Sequence, residues 1–459
     1  MHFLRPLLRH PLSNLILLVA ALVLAAPRAV QAEAWLVVEA DTGKVLQADN
    51  ATMPWYPASV TKIMTAYVTL KAVKEGRLAL DGMLTVSPVA ASQSPSKMGF
   101  RPGTQVTVEN ALAMMMVKSA NDMAVVLAEG VGGSIDGFSA QMNQTAQKLG
   151  MTQTSYVNPN GLPAEGQITS ARDLAILARA VIRDLPEYEY FMHIPAIRFG
   201  RRVTNNFNHL IGRYPGADGF KTGFICASGY NLVGSATRNG KRLIAVVLGS
   251  TSGHARAVRA AQLLERGFAN NGLGWLRPSL GTVDNLVPLD ASPPNLRDEM
   301  CGGKRKRPAS DEEDDTTVAG NSSSGETAVT FFTAGLQAPM ARPSELLAAG
   351  PAAAEPMVVY TGPKKTGPAL IAAVAADGDN QTTTRQRGKK SRVAAKKPDR
   401  ATPKTGTRPD VKQAAKPAAV RHASVKPDIA AKPAEKPAAA KPAKPKAAAK
   451  PKSDTKPAG

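Results

Sequence analysis

The sequence of residues 33–275 predicts an α/β fold of the α+β type, with one mixed sheet and helices packed around it. Two observations carry this prediction. Strand-like hairpins lie at both ends of the segment, and the residues between them place apolar side chains at helical spacing. A segment of about 240 residues can bury a core adequate for a single domain. We therefore expect one domain whose sheet is built from the two extremities of the segment.

Each hairpin is a pair of apolar runs around a turn. The runs are residues 35–39 and 45–47 around Asp41-Thr42-Gly43, and residues 230–236 and 242–248 around Asn239-Gly240. Asn-Gly is a preferred two-residue turn between antiparallel strands. A further strand is expected where the chain passes through residues 218–223.

The predicted helices between and after these strands are residues 63–73, 109–131, 135–149, 170–185 and 256–268. The segment 109–131 is interrupted at 118–121, which predicts that Ser119 and Asn121 lie in a loop between two helices. Thr169 or Ser170 is the expected N-cap of the fourth helix, because a hydroxyl there accepts a hydrogen bond from the first turn.

Residues 1–32 have the pattern of a secretory signal peptide. Arg5 and Arg9 give a basic start, residues 15–26 are apolar, and Val30-Gln31-Ala32 is a small-residue cleavage site. A permanent membrane anchor is the alternative, but the apolar run is shorter than the ~20 residues needed to span a bilayer. We therefore expect an exported chain with no clear membrane anchor at its C-terminus.

The basic character of the chain is concentrated near its C-terminal end. Residues 385–459 contain 22 Lys or Arg against 5 Asp or Glu, so they carry +17 of the formal net charge of +21. Their Lys-Pro and Ala-Lys-Pro units bury too little apolar surface to offset ordering entropy, which predicts a long disordered C-terminal tail. Residues 276–384 are expected to form a low-complexity linker, in which 329–332 and 357–360 are candidates for minor β elements.

The chain has two cysteines, Cys226 and Cys301. In an oxidising compartment they can pair, and the bond would tether a segment beyond the folded domain to the strand that carries Gly223. Two unrelated thiols are the alternative, because the sequence does not supply the distance between them. Two cysteines without clustered histidines do not favour a structural zinc site, so we expect no metal and no cofactor.

The chemistry is indicated first by Ser59-Val60-Thr61-Lys62, where a turn leads into a helix. Positions three apart lie on one helix face, so the Ser59 hydroxyl and the Lys62 amine can meet. A serine becomes a nucleophile when an adjacent base takes its proton, and an uncharged lysine can be that base. Ser-x-x-Lys recurs at 94–97 and 453–456, so it is a weak signal on its own.

Two further motifs follow in order, Ser119-Ala120-Asn121 and Lys221-Thr222-Gly223. The three together are the signature of penicillin-binding proteins and serine β-lactamases. Lys-Thr-Gly recurs at 365–367 and 404–406, but in Pro-rich sequence where no strand is expected.

The first motif supplies the reacting groups of an acyl transfer. Ser59 is the predicted acyl-ester nucleophile, at a helix N-terminus whose N–H groups and dipole favour a developing oxyanion. Lys62 is the predicted general base. Its pKa must then fall from about 10.4 to about 7, which burial beside the second cation Lys221 would favour.

The second and third motifs supply the proton relay and the substrate clamp. Ser119 is predicted to relay a proton to the leaving amine, and Asn121 to hydrogen-bond the substrate amide. Lys221 and Thr222 are predicted to hold an anionic end of the substrate. Gly223 lacks a Cβ, so we expect the strand edge there to approach a peptide-like ligand closely.

Residues 33–275 resemble the low-molecular-weight penicillin-binding proteins, specifically the serine D-alanyl-D-alanine carboxypeptidase family. Beyond the three motifs, the resemblance covers the flanking sequences 57–66, 119–122, 170–175 and 229–233. It implies a penicillin-binding protein/serine β-lactamase-like fold, with a central antiparallel sheet flanked by helices plus a smaller helical subdomain. It also implies an oxyanion hole formed by the N–H groups of Ser59 and Phe224.

The resemblance further implies an activity and a location. The activity is removal of the terminal D-alanine from peptidoglycan stem peptides through an acyl-enzyme on Ser59. The location is the periplasm or cell envelope of a bacterium. β-Lactams are implied as covalent inhibitors that acylate the enzyme and are released slowly.

The sequence departs from the family pattern near the site. Relatives often carry His directly after Lys-Thr-Gly, where this chain has Phe224. Some place an Arg upstream of that motif, where this chain has the stretch 206–209, and His209 is either a substituted contact or a polar loop residue. Many relatives also continue into a β-rich domain and end in an amphipathic membrane helix, and neither is clear here.

Three other functions are weighed against this one. A D,D-endopeptidase would cleave peptidoglycan cross-links with the same residues. A serine β-lactamase would need a group that delivers the deacylating water, and Glu165 lies in the right interval of the sequence. A non-catalytic wall-binding protein would use the basic tail.

The basic tail has two interpretations. It suits electrostatic contact with anionic envelope polymers, and it also suits a soluble spacer. Nucleic acid is not an expected partner, because an exported chain does not meet it and residues 385–459 contain no aromatic side chain for base stacking.

Overall fold

The computed structural model of this chain describes residues 33–269, 279–303, 346–347 and 354–372. All of them fall within the first of the two units into which the chain divides. The predicted signal peptide (1–32), the basic tail (385–459) and the candidate β segment 329–332 lie outside the described residues.

The strands, numbered along the chain, are β1 (Ala34–Glu39), β2 (Val45–Asp49), β3 (Met83–Thr85), β4 (Gln105–Thr107), β5 (Ala196–Phe199), β6 (Arg202–Asn205), β7 (Ala217–Ile225), β8 (Gly229–Arg238), β9 (Lys241–Ser250) and β10 (Met357–Val358). Five of them form the central sheet in the order β2-β1-β9-β8-β7, so β7 is an edge strand. Both predicted hairpins and the strand expected at 218–223 are present in it.

Every neighbouring pair in the central sheet is antiparallel. The mixed sheet expected from the strand and helix pattern is therefore wrong, and the antiparallel sheet implied by the family resemblance is correct. The physical reason is connectivity, because β1–β2, β7–β8 and β8–β9 are joined by short turns that force antiparallel pairing. Asn239 and Gly240 at the last turn have φ values of 50° and 74°, which suit a type I′ hairpin.

The helices are α1 (Lys62–Lys74), α2 (Pro88–Ser92), α3 (Val108–Val117), α4 (Asn121–Gly132), α5 (Ile135–Leu149), α6 (Ala171–Asp184), α7 (Gly253–Phe268) and α8 (Arg297–Cys301). The predicted helices are all present, close to their expected bounds. Ser170 is the N-cap of α6 and accepts a hydrogen bond from the Asp173 N–H at 3.2 Å. Helix α7 begins earlier than predicted because Ser252 caps it through the Ala255 N–H.

The central sheet is buried on both faces. Successive side chains of a strand point to opposite faces, and β9 shows this with Ile244, Val246 and Leu248 in the larger core cluster. That cluster includes the apolar sides of α1, α3, α4 and α6. The alternate β9 residues, including Ala245 and Val247, belong to a smaller cluster beneath α7. Burial on both faces fixes the register of the strands that carry the candidate site.

Part of the segment expected to be a linker packs on the catalytic unit. Leu296, Met300 and Cys301 are buried, and the Leu296 N–H donates to the Ala227 carbonyl at 3.0 Å. Cys301 therefore lies inside the folded unit, whereas the sequence placed it beyond the domain. Strand β10 pairs with β5, which confirms a minor β element within 357–360. None of the helices in the described ranges has both the length and the apolar character needed to cross a bilayer.

Candidate active site

Ser59 lies in a single 3₁₀ turn, Ala58–Thr61, that leads directly into α1, and Lys62 is the first residue of that helix. Lys62 Nζ lies 2.9 Å from Ser59 Oγ. The lysine side chain is fully buried, at 0 % exposure. The hydroxyl and the amine therefore meet across one turn, as their spacing predicts.

The contacts of Lys62 Nζ include oxygen atoms of two asparagines in addition to Ser59 Oγ. Asn121 Oδ1 and the Asn160 carbonyl oxygen each lie 2.7 Å away. These two oxygens can only accept hydrogen bonds, whereas a hydroxyl can donate or accept. An uncharged amine would direct its two N–H groups to them and turn its lone pair toward the Ser59 proton. The arrangement is therefore chemically competent for general-base activation of Ser59.

The turn that carries Ser59 has an irregular backbone. Ala58 has a φ of 50°, in the left-handed region that non-glycine residues seldom occupy. A Cβ on Gly161 would lie 1.8 Å from the Ala58 carbonyl oxygen, so the loop around Gly161 packs directly against the turn. Gln167 Nε2 braces the same turn by donating to Thr61 Oγ1 at 3.1 Å. The turn that carries the nucleophile is thus held by the backbone around Gly161 and by the side chain of Gln167.

Asn231 on β8 holds the chain just before the turn. Its Nδ2 donates to the carbonyls of Tyr56 and Pro57 at 2.9 and 3.1 Å, and its Oδ1 accepts from the Gly249 N–H. The side chain is 0 % exposed. Asn231 therefore fixes the chain segment just before Ser59 against the neighbouring strands β8 and β9. At the sequence level residues 229–233 indicated only the family resemblance, and this role of Asn231 was not predicted.

The second motif lies where α3 ends and α4 begins. Ser119 occupies the connection, is 5 % exposed and has a φ of 59°, and left-handed backbone of this kind is often found at functional sites. Asn121 is the first residue of α4, so the prediction that it lies in the loop is wrong by one residue. Its Oδ1 is turned toward Lys62 and its Nδ2 donates to the Ser94 carbonyl at 2.9 Å. The two motifs are therefore brought into contact.

The third motif lies on edge strand β7. Lys221 and Thr222 are each 1 % exposed, and Lys221 Nζ donates to the Thr222 carbonyl at 3.2 Å. Thr222 Oγ1 is buried and has no hydrogen-bond partner among the described residues. Phe224 is half-buried, and its ring lies 4.3 Å from the Tyr230 ring. A buried hydroxyl without a partner is unfavourable unless a ligand completes its hydrogen bond.

Gly223 faces the turn that carries the nucleophile. A Cβ at this position would lie 2.6 Å from the Ser59 nitrogen and 3.0 Å from the Val60 nitrogen. The close approach of a substrate strand at this glycine stays a prediction, and the structure adds a second reason for the missing side chain. The missing side chain makes room for the backbone of Ser59, whose N–H lies next to β7.

Arg256 on α7 is a contact of the third motif that the sequence analysis missed. It is 2 % exposed, and its Nη1 donates to the carbonyls of Asn231 and Gly223 at 3.2 and 3.5 Å. Its Nη2 donates to the Phe207 carbonyl at 3.4 Å. A signal was available, because Arg256 shares the inward face of α7 with Ala260. A charged residue on such a face is unusual and indicates a specific contact.

The nucleophile opens onto a cavity of about 280 Å³, here called the Ser59 cavity. Its lining residues include Ser59, Ser119, Asn121, Phe224, Cys226 and Arg297. Lys221 and Thr222 do not line it. A second cavity of about 360 Å³, here called the outer cavity, shares Gly161, Leu162, Pro163, Ile225 and Arg297 with the first. The two cavities are therefore adjacent.

Cys226 and Cys301 form a disulfide with a Cα–Cα distance of 5.6 Å. This resolves the two alternatives of the sequence analysis in favour of the bond. Because Cys226 lines the Ser59 cavity, the bond attaches helix α8 to the rim of that cavity.

Two residues considered at the sequence level lie away from the reacting groups. His209 does not line the Ser59 cavity, whereas its neighbour Phe207 does. Glu165 is exposed and lines the outer cavity but not the Ser59 cavity. These positions do not support a substrate contact for His209 or delivery of the deacylating water by Glu165. Among the described residues no group of three His, Cys, Asp or Glu side chains is arranged to hold a metal ion.

Asp122 supports the second motif from behind. It is fully buried, and its carboxylate accepts hydrogen bonds from the Gly99 and Met98 N–H groups at 2.8 and 3.1 Å. Burial raises the pKa of the Asp122 carboxyl, although these backbone hydrogen bonds act in the opposite direction. The side chain therefore links the backbone at Met98 and Gly99 to the first turn of α4.

The fold and the three ordered motifs are those of the penicillin-binding class of proteins. Comparison with known proteins agrees, because the family model for D-alanyl-D-alanine carboxypeptidases of peptidase family S11 matches residues 21–252. The chain belongs to this family. It is 40 % identical over 247 residues to the D-alanyl-D-alanine carboxypeptidase DacC of Escherichia coli, covering 52 % of this chain and 62 % of that protein. It thus spans less than two thirds of the length of such curated relatives.

Solved structures agree with this assignment. The D-alanyl-D-alanine carboxypeptidase DacD of Francisella tularensis is similar, with 33 % identity and a TM-score of 0.51 over 53 % of this chain and 72 % of that one. Penicillin binding protein 5 of Haemophilus influenzae has 35 % identity and a TM-score of 0.50, over 53 % of this chain and 73 % of that one.

Proposed function

We propose that this protein is a serine D,D-carboxypeptidase that removes the terminal D-alanine from peptidoglycan stem peptides during cell-wall maturation. One observation carries the proposal: the buried Lys62 amine lies 2.9 Å from Ser59 Oγ, within a family whose members are named for this activity. The catalytic unit comprises residues 33–275 together with the docked segment 279–303.

Acylation begins at Ser59. Lys62 takes the hydroxyl proton as Oγ attacks the carbonyl carbon of the penultimate D-alanine. The N–H groups of Ser59 and Phe224 donate to the resulting oxyanion, an arrangement supported by the short separation of Gly223 from the Ser59 nitrogen. The peptide C–N bond to the terminal D-alanine then breaks, and the proton held by Lys62 moves to Ser119. Ser119 passes a proton to the departing amine of the terminal D-alanine. Water then hydrolyses the acyl-enzyme and restores Ser59.

Substrate binding uses the remaining motif residues. Thr222 Oγ1, which is buried without a partner among the described residues, donates a hydrogen bond to the substrate carboxylate when side chains rearrange around the ligand. Lys221 adds a positive charge behind it, and Asn121 binds the substrate amide. Gly223 permits the close packing of β7 and the nucleophile turn on which this alignment depends.

We also propose that the chain is exported and acts in the periplasm or cell envelope, with residues 1–32 as a signal peptide. Penicillins, which imitate the substrate, would acylate Ser59, as the name of the structurally similar Haemophilus protein suggests. The basic segment 385–459 would contact anionic envelope polymers by charge.

The activity is tested with purified muropeptides. A carboxypeptidase releases free D-alanine from a monomeric pentapeptide and leaves cross-linked dimers intact. Conversion of dimers to monomers without release from the pentapeptide would replace the proposal with a D,D-endopeptidase. Rapid, repeated hydrolysis of a chromogenic cephalosporin would indicate a β-lactamase, for which Glu165 is poorly placed because it does not line the Ser59 cavity.

A further inference from the structure

Arg297 is a cation on the wall of the Ser59 cavity that the proposed reaction does not use. It also lines the outer cavity, so it lies where the two cavities meet. Its side chain is exposed, and its guanidinium forms no hydrogen bond or ion pair among the described residues. Its backbone N–H donates to Asn295 Oδ1 at 3.1 Å. The charged group is therefore available to a ligand.

The fold builds this position through two attachments. The Leu296 N–H donates to the Ala227 carbonyl at 3.0 Å, immediately before Arg297. At the other end of α8, Cys301 is bonded to Cys226 at the end of β7. Both attachments reach the same stretch of chain, just after the Lys-Thr-Gly motif. The arginine is thus held at the site by contacts on either side of it.

The direction of a bound peptide follows from the roles proposed for Lys221, Thr222 and Phe224. If Lys221 and Thr222 hold the terminal carboxylate and Phe224 marks the reacting carbonyl, the rest of the peptide extends along β7 toward Ile225 and Cys226. This is the acyl side of the scissile bond. Arg297 lies on that side, because the Leu296 N–H just before it donates to the Ala227 carbonyl and its helix α8 is disulfide-bonded to Cys226.

We propose that Arg297 is a specificity-determining residue that binds a carboxylate on the stem-peptide residue preceding the two D-alanines. This subsite rests on the proposed function. A guanidinium recognises a carboxylate through paired hydrogen bonds. The exposed side chain of Glu165, a carboxylate, also lines the outer cavity. The preferred residue therefore ends in both a carboxylate and an amine, so that each charge meets its opposite.

The test uses three synthetic pentapeptides that differ at the third residue. The second residue is D-isoglutamine in all of them, so that it adds no carboxylate. The third residue is meso-diaminopimelate with both charges, L-lysine with the amine alone, or Nε-acetyl-lysine with neither. D-alanine release gives kcat/KM for the full chain and for Arg297→Gln. Arg266→Gln, at an exposed position of helix α7, is the matched control.

Arg297→Gln is expected to lower kcat/KM about tenfold for the diaminopimelate peptide, the loss of one charge-assisted hydrogen-bonded pair. The same variant should leave the other two peptides within about twofold, which a merely structural role would not do. Replacing both Cys226 and Cys301 with Ala should reproduce the selective loss, because α8 is then untethered.

Two results would overturn the subsite. One is an equal loss on all three peptides, and the other is no loss on any of them. These outcomes are separable from failure of the proposed function. If the wild-type chain released no D-alanine even from the acetyl-lysine peptide, the carboxypeptidase assignment and the subsite would both fall.

Discussion

A Cβ on Gly223 would lie 2.6 Å from the backbone nitrogen of Ser59. The strand of the third motif and the turn of the first motif are thus in direct backbone contact, and neither backbone can move aside as a flexible side chain can. Gly223→Ala should cost about 1–3 kcal/mol of stability through overpacking. It should also slow acylation by a fluorescent penicillin more than tenfold, because a shift of the turn misplaces Ser59.

The matched control for this variant is Gly234→Ala on β8. A Cβ there would approach the Leu210 side chain at 2.8 Å, and a side chain can give way. Its acylation rate should remain close to that of the wild type. Equal acylation rates for the two variants would show that the contact between Gly223 and Ser59 has no functional consequence.

Lys62→Met removes the amine while keeping an unbranched side chain. If Lys62 is the base, the acylation rate should fall about 10²- to 10⁴-fold, the usual contribution of a general base. Lys71→Met, on the same helix but at its solvent side, should acylate at the wild-type rate. The measurement is stopped-flow or gel-based labelling at fixed penicillin concentration. A Lys62→Met protein that folds and acylates normally would assign the base to another group.

Asn231→Leu leaves the carbonyls of Tyr56 and Pro57 without their side-chain donor. Buried polar groups without partners cost roughly 1–3 kcal/mol each, so the free energy of unfolding measured in urea should fall by about 2–6 kcal/mol. The exposed Asn205→Leu on β6 should change stability by less than about 0.5 kcal/mol. Similar unfolding midpoints for both variants would contradict the bracing role of Asn231.

The disulfide between Cys226 and Cys301 joins positions 75 residues apart. In the chain-entropy model a loop of this length is worth about 4 kcal/mol, so the double Ala variant should unfold at markedly lower urea concentration. Acylation by benzylpenicillin, which lacks a carboxylate on its acyl group, should stay within severalfold of the wild type under native conditions. An unchanged unfolding midpoint would mean that the segment 279–303 is held without the bond.

Asp122 should make stability depend on pH. Its pKa in the folded state is raised by burial above the unfolded value of about 3.9, so the folded protein holds this proton more tightly. The contribution is fully present below the unfolded pKa and declines as the pH rises through the folded pKa. Asp122→Asn should remove this decline. Melting temperatures that fall in parallel for both proteins from pH 4 upward would show that Asp122 does not titrate in this range.

The motif chemistry could be predicted because it is local in the sequence. Ser59 and Lys62 are one turn apart, so their contact follows from helical spacing alone. The helices and hairpins followed from periodicity and turn residues for the same reason. Asn121 was predicted to lie at the same site because it belongs to the second of the three ordered motifs of the family.

The contacts that were missed join parts of the chain that are distant in sequence. Arg256 reaches the Gly223 carbonyl from another helix, and Arg297 reaches the cavity from a segment that composition assigned to a linker. The close packing of Gly223 against the Ser59 nitrogen was also not predicted. No local pattern encodes which backbone lies opposite a glycine.

The central claim is that Ser59 is the nucleophile, and its most direct test is covalent labelling. The full chain is incubated with benzylpenicillin, and intact-mass and peptide-mass analysis locate the adduct in the wild type and in Ser59→Ala. We predict one adduct per chain, on the peptide that contains Ser59, and none on the variant. An adduct on another residue, or an unmodified wild-type protein, would contradict the account.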